Sequence, residues 1–130
     1  MKIRVYYEDT DAGGIVYHAN YLKFCERARS ELFFSRGVKP FEEDQSGFVV
    51  RKVEAEFLGM ARLGDLLEVR TRLLEQSRST IRLLQSVYRE DEIVYEMEVL
   101  LVYVVRGRPK RIPAGLMELI EAWQRESAAQ

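Results

Sequence analysis

Four segments with a two-residue hydrophobic period follow one another between residues 48 and 105, separated only by short polar turns. Over 48–58, Val49, Val53, Ala55 and Phe57 alternate with Lys52, Glu54 and Glu56. Over 66–74, Leu67, Val69, Thr71 and Leu73 alternate with Glu68, Arg70 and Arg72. Residues 79–89 put Ile81, Leu83 and Val87 on one face, and 93–105 end in VLLVYVV, apolar on both faces as a central or interface strand would be. Such a period marks strands with one buried face. The turns QSRS, REDE and RGRP suit hairpin connections. Successive hairpins make an antiparallel sheet. A ferredoxin-like arrangement would need a second crossover helix among these strands, and no such pattern is present.

Upstream, KIRVYYE over 2–8 reads as a short strand, and 20–36 reads as a helix. Tyr21, Phe24, Cys25, Ala28, Leu32 and Phe33 recur there at spacings of three and four; Gly37 suits the cap and Pro40 blocks continuation. Cys25 and Ala28 are small enough to let a sheet approach the helix axis. Residues 113–126 form a closing amphipathic helix with Leu116, Leu119, Ile120 and Trp123 on one face. The expected architecture is α+β: a curved five-stranded antiparallel sheet on one long helix, plus a short C-terminal helix, as one domain over residues 1–130.

The composition narrows the function classes. Of 130 residues, 47% are hydrophobic, enough for a core without metals or disulfides. Twenty basic residues face 21 acidic ones, so no global field favours nucleic acid. A single cysteine, Cys25, forbids an intrachain disulfide and suggests a cytoplasmic protein. MKIRVYYED has no apolar signal core, and the seven-residue run Val99–Val105 is too short to span a bilayer, so membrane insertion is not expected.

The chemistry concentrates in residues 7–21, YEDTDAGGIVYHANY. Asp9, Asp11 and Gly14 echo the first half of an EF-hand loop, but Gly13 and Asn20 stand where that loop needs an oxygen ligand and a bidentate Glu. One His and one Cys in the chain exclude a zinc site, so no metal is expected. No GK[ST] or GxGxxG is present. Cys25 and His18, seven residues apart, would lie about 10 Å apart along a helix, too far to bond; Cys25 reads as core. Two readings of Glu8, Asp9 and Asp11 remain open: a solvated turn that caps backbone N–H groups, or a carboxylate beside a helix N-terminus acting on a carbonyl whose oxygen becomes negative.

The ordered residues Tyr7, Asp9, Asp11, Gly14, Val16, Tyr17, His18, Asn20 and Tyr21, followed by Glu26, Arg27 and Arg29, resemble the signature of the hotdog-fold acyl-CoA thioesterases. The likeness is to the 4-hydroxybenzoyl-CoA thioesterase family and, within it, to the bacterial Tol–Pal-associated subgroup. FVVRKVEAEFLGMARLGDLLEVRT and EMEVLLVYV extend it over residues 2–120. The resemblance implies a hotdog fold, acyl-CoA as substrate, no cofactor beyond the CoA of the substrate, and a homo-oligomer, either a dimer or a dimer of dimers, with sites at the subunit interface. It implies Asp11 as the catalytic carboxylate, nucleophile or general base, and His18 as a second catalytic residue. It also implies that backbone N–H groups near Tyr17 and His18 hold the thioester oxygen, and that Tyr7, Gly14, Val16 and Tyr17 bind substrate. Met60 and Gly64 depart from the family pattern, where proline and an acid are common.

Candidate partners for the CoA phosphates are Arg62 and Arg78, then Arg82, with Lys110 and Arg111 behind them. Two other functions fit the pattern less well: a hydratase or dehydratase of carrier thioesters, and a non-catalytic acyl-CoA-binding protein.

Overall fold

The computed structural model describes residues 1–128. Its elements are β1 (Lys2–Arg4), α1 (Asn20–Phe34), β2 (Ser46–Phe57), β3 (Leu66–Gln76), β4 (Thr80–Arg89), β5 (Glu92–Val105), β6 (Arg108–Pro109) and α2 (Ala114–Ala128). One sheet runs in the order β1-β3-β4-β5-β2, with the short β6 paired to the end of β5, and every pairing is antiparallel. No helix among the described residues is long and apolar enough to cross a membrane.

The alternation read from the sequence places the core. Leu67 and Val69 of β3, Ile81, Leu83 and Val87 of β4, and Tyr95, Met97, Val99 and Leu101 of β5 are buried on one face. Tyr21, Phe24, Cys25, Ala28 and Phe33 of α1 pack onto that face, and Ile120 and Trp123 of α2 close one end. Each large side chain so buried contributes roughly 1.5–3 kcal/mol. β5 lies between β4 and β2, which accounts for its apolar end: Val102 and Val104, on the outward face, are buried too.

Four details differ from the expectation. The first strand stops at Arg4, and Tyr7–Asp9 form a 3₁₀ turn. Asp9 Oδ2 accepts the Tyr6 N–H at 2.9 Å, and this local cap outcompetes the β-propensity of Tyr6 and Tyr7. Helix α1 ends at Phe34 and not at residue 36, because the Arg36 N–H turns back to Phe33 and Gly37 adopts φ +77°. The two helices are equal, at 15 residues each. The fourth difference is in β2, where Arg51 is a bulge: Val50 opposes Leu101 and Lys52 opposes Leu100. A bulge inverts the facing of what precedes it. Val49 therefore faces outward with Val102, while Val53, Ala55 and Phe57 face the helix side with Val99, Met97 and Tyr95.

Gln85 interrupts the apolar face of β4 and is fully buried. Its amide donates to the Cys25 carbonyl at 2.8 Å and to Thr71 Oγ1 at 3.1 Å, and its oxygen accepts from Arg29 at 3.3 Å. It thus bolts α1 to two strands. Gln85→Leu leaves the Arg29 guanidinium, whose pKa burial already lowers, without that acceptor. The expected cost is about 2 kcal/mol, read as a lower urea midpoint at unchanged m-value.

Candidate active site

Residues 10–16 form a tight hairpin. Thr10 pairs with Val16, the Asp11 N–H donates to the Ile15 carbonyl at 2.9 Å, and the Gly14 N–H donates to the Asp11 carbonyl at 3.1 Å. Asp11 opens the turn, and its Oδ1 accepts the Gly13 N–H at 2.8 Å. That bond leaves Oδ2 and further lone pairs free. A Cβ on Gly13 would sit 3.3 Å from Asp11 Oδ1, and Gly14 needs its φ of +80°. The glycines therefore let the turn close tightly around the Asp11 carboxylate.

The second arm of the hairpin runs straight into α1. A four-residue turn, closed by the Asn20 N–H donating to the Tyr17 carbonyl at 2.8 Å, leads into the helix. No side chain caps α1, and no acid lies in its first turn. The positive end of the helix dipole is thus left uncompensated. Among the described residues the N–H groups of His18 and Ala19 donate to nothing, whereas the Tyr17 N–H is committed to the Asp9 carbonyl at 2.9 Å. Of the donors expected near Tyr17 and His18, the Tyr17 N–H is therefore engaged. His18 and its neighbour Ala19 remain.

The other expected site residues fall at different distances from this point. His18 is exposed, 4.5 Å from the Tyr17 ring and edge-on to Phe57 at 6.2 Å. Tyr7 is exposed on the 3₁₀ turn. Gly14 spends its N–H inside the turn but leaves open space at its Cα. Val16 is a correction: its side chain is buried in the core cluster, and what it contributes is the N–H bond to the Ala61 carbonyl that anchors the hairpin. Arg62 pairs with Ile15 and so lies next to the hairpin. Arg78 does not. It sits in the β3–β4 turn, and β3 separates it from Arg62 by roughly 30 Å of strand. The Ile112 N–H bonds the Arg78 carbonyl, which sets Arg78, Lys110 and Arg111 together at that far end. Arg82 is paired with Glu75 at 3.3 Å.

Of the three acids, Glu8 is exposed and Asp9 is the turn cap described above. Phe57 was not anticipated as a site residue. Its ring, 56% exposed although it is on the helix side of the sheet, meets His18, Tyr21 and Tyr95. The only signal for it in the sequence is an aromatic ending an alternating run. Among the described residues no three His, Cys, Asp or Glu side chains gather to hold a metal.

A carboxylate with a free oxygen, on a hairpin that leads into a helix start with free N–H groups, narrows the chemistry, and comparison with known proteins decides the family. The thioesterase superfamily model matches residues 13–96. The chain belongs to the thioesterase superfamily. This thioesterase-superfamily chain is 52% identical over 88 residues to the acyl-CoA thioesterase YbgC of Helicobacter pylori (strain ATCC 700392 / 26695); the match covers 68% of this chain but only 65% of that relative's own length. It is 38% identical over 122 residues to the acyl-CoA thioester hydrolase YbgC of Escherichia coli O6:H1, covering 88% of this chain and 90% of the relative. Its fold matches a Thermus thermophilus thioesterase solved with coenzyme A and Zn, with a TM-score of 0.82 and 28% identity over 96% of this chain and 93% of that one. The curled antiparallel sheet on α1 is thus the hotdog fold.

Cys25 is no nucleophile here. It is fully buried, and burial pushes its thiol up to about 12. Burial also holds the nearby Tyr95 phenol at about 12. Both groups are acids whose folded pKa lies above the unfolded value, near 9 and 10. Their contribution to stability is therefore complete below about pH 9 and is lost as pH rises through about 12. Urea unfolding at about pH 8 and about pH 11 is expected to show a lower midpoint at the higher pH, with a shallower pH dependence in Cys25→Ala.

Proposed function

We propose that this chain hydrolyses acyl-CoA thioesters to the free acid and CoA, with Asp11 as the reacting carboxylate. The observation that carries this is the hairpin that holds Asp11 by one carboxylate oxygen and feeds directly into a helix start with two undonated N–H groups. A thioester carbonyl is electrophilic and its thiolate leaves readily, so catalysis needs attack on carbon and shelter for the oxyanion. Asp11 supplies the first, as nucleophile or as general base for water, and the His18 and Ala19 N–H groups with the α1 dipole supply the second. His18 lies between the Tyr17 and Phe57 rings, tilted to the first and edge-on to the second, and on this reading would flank the acyl group. The names of the Helicobacter pylori and Escherichia coli relatives support the substrate class, as does the coenzyme A in the Thermus thermophilus structure. No cofactor is invoked; CoA arrives with the substrate. The buried free thiol of Cys25 fits a cytoplasmic setting.

We further infer a homodimer built on β2, alone or paired into a dimer of dimers. β2 is a twelve-residue strand at the sheet edge, exposed from Val49 to Phe57. Two copies pairing antiparallel through it would set the Phe57 end of one beside the Ser46 end of the other. Ser46 opposes Val105 and Thr80 opposes Val102, so that end carries Arg78, Lys110 and Arg111. The second copy would then bring its Arg78 cluster toward the first copy's Asp11, adding phosphate contacts to the one that Arg62 offers within the chain.

The test is thiol release from a panel of acyl-CoAs, short, long and aroyl, with kcat/KM for each. Turnover of some member supports the reading. Hydration of an enoyl-CoA without thiol release, or tight binding without turnover, overturns it.

A further inference from the structure

We propose that Asn20 is a positioning residue that sets the spacing between the Asp11 carboxylate and the oxyanion-binding N–H groups; the proposal rests on the thioesterase reading above. Asn20 touches neither Asp11 nor any group placed at the reacting carbonyl. It is half-buried at the first position of α1 and makes two bonds that converge on the same junction. Its main-chain N–H closes the turn onto the Tyr17 carbonyl at 2.8 Å. Its side-chain Nδ2–H donates to the Asp9 carbonyl at 2.9 Å, which also accepts the Tyr17 N–H at 2.9 Å.

The consequence follows from where these bonds lie. His18 and Ala19 are the two central residues of the turn that Asn20 closes, so their N–H directions are set by its closure. Asp9 lies two residues before Asp11, on the arm of the hairpin that carries the carboxylate. Its own side chain is held by the Tyr6 N–H, so its carbonyl is a fixed point. One amide therefore ties the frame of the base to the frame of the oxyanion donors. Without it the hairpin and the helix start stay joined by Tyr17, but they lose the second bond that stops them from rotating about the first. Misplacement by about 1 Å in such an arrangement costs on the order of 100-fold in rate.

The bland alternative is that Asn20 is an ordinary helix-start residue whose loss lowers stability and nothing else. Three variants separate the two. Asn20→Ala removes the donor without adding charge, and Asn20→Asp keeps the shape but turns donor into acceptor; Asp11→Asn runs in parallel. Positioning predicts that both Asn20 variants lose roughly 10- to 100-fold in kcat while KM stays within about threefold. It also predicts that the kcat of Asn20→Asp relative to the unaltered chain climbs as pH falls through the carboxylate range, because a protonated carboxyl can again donate to the Asp9 carbonyl. Unchanged kcat in Asn20→Ala, or a rise in KM at constant kcat, overturns the proposal, and Asn20→Ala decides it if the aspartate variant fails to fold. If Asp11→Asn loses activity and Asn20→Ala does not, the positioning role falls and the thioesterase reading stands. If Asp11→Asn keeps full activity, the reading itself falls.

Discussion

Asp11→Asn is expected to lower kcat for acyl-CoA hydrolysis by about 10²–10⁴-fold, with KM and melting temperature close to those of the unaltered chain. The substitution is chosen for what it keeps. Asparagine retains the Oδ1 that accepts the Gly13 N–H at 2.8 Å, so the hairpin turn survives. It loses the charge, and with it both the nucleophile and the base. The measurement is steady-state thiol release together with a thermal scan. A drop in kcat accompanied by a large fall in melting temperature would point to the turn and not to the chemistry. Equal activity in both proteins would remove Asp11 from the reaction, and no neighbour could readily replace it. The Asp9 carboxylate folds back onto the start of the 3₁₀ turn to accept the Tyr6 N–H, and Cys25 is a buried thiol.

The largest effect on stability is expected at Gly47. The residue opposes Val104 in the β2–β5 ladder and bridges Phe41 on its other side. A Cβ there would lie 2.4 Å from the Pro40 carbonyl oxygen and 2.5 Å from the Phe41 Cα, both backbone atoms. Its φ of +153° adds strain for any side chain. No rotamer relieves a clash with main chain, so the 40–41 segment has to leave the sheet. Gly47→Ala is expected to cost about 3 kcal/mol or more, a fall in melting temperature of roughly 10 °C, measured by calorimetry or denaturant titration. Gly64→Ala serves as the comparison. It also has positive φ, at +89°, but it meets nothing within 4 Å, so its cost is limited to about 1 kcal/mol of backbone strain.

How much of this was legible depended on how local each cause is. The alternation in β3, β4 and β5 and the three-and-four spacing of α1 are local, and they placed strands, helix and core faces correctly. The bulge at Arg51 was legible only in part. KVEAEF alternates cleanly and FVVRK does not, since Val50 and Arg51 break the period; no Gly or Pro marks where the slip falls, and the register is set by the partner strand β5. The shortness of β1 was legible in principle, since an acid three residues after Tyr6 is a capping signal, but tyrosine-rich β-propensity masked it. Gln85 was visible as a polar residue in an apolar series, and its three bonds come from residues 14 to 60 positions away. At the site, the ordered string from Tyr7 to Tyr21 pointed to Asp11. Which N–H groups stay free could not be read, because it depends on the Asp9 carbonyl reaching across to Tyr17.

The edge of β2 has one more consequence, for the chain on its own. A strand with free N–H and C=O groups along one side is a template for any extended peptide. Proteins usually blunt such an edge with charges, and β2 does so on its outward face only, with Lys52, Glu54 and Glu56. On the other face Val50, Val53 and Phe57 are exposed and apolar. If β2 is covered in the dimer proposed above, a chain caught with this edge bare, freshly synthesised or highly diluted, would be the adhesive form of the protein. Its gatekeepers guard one side of a two-sided strand.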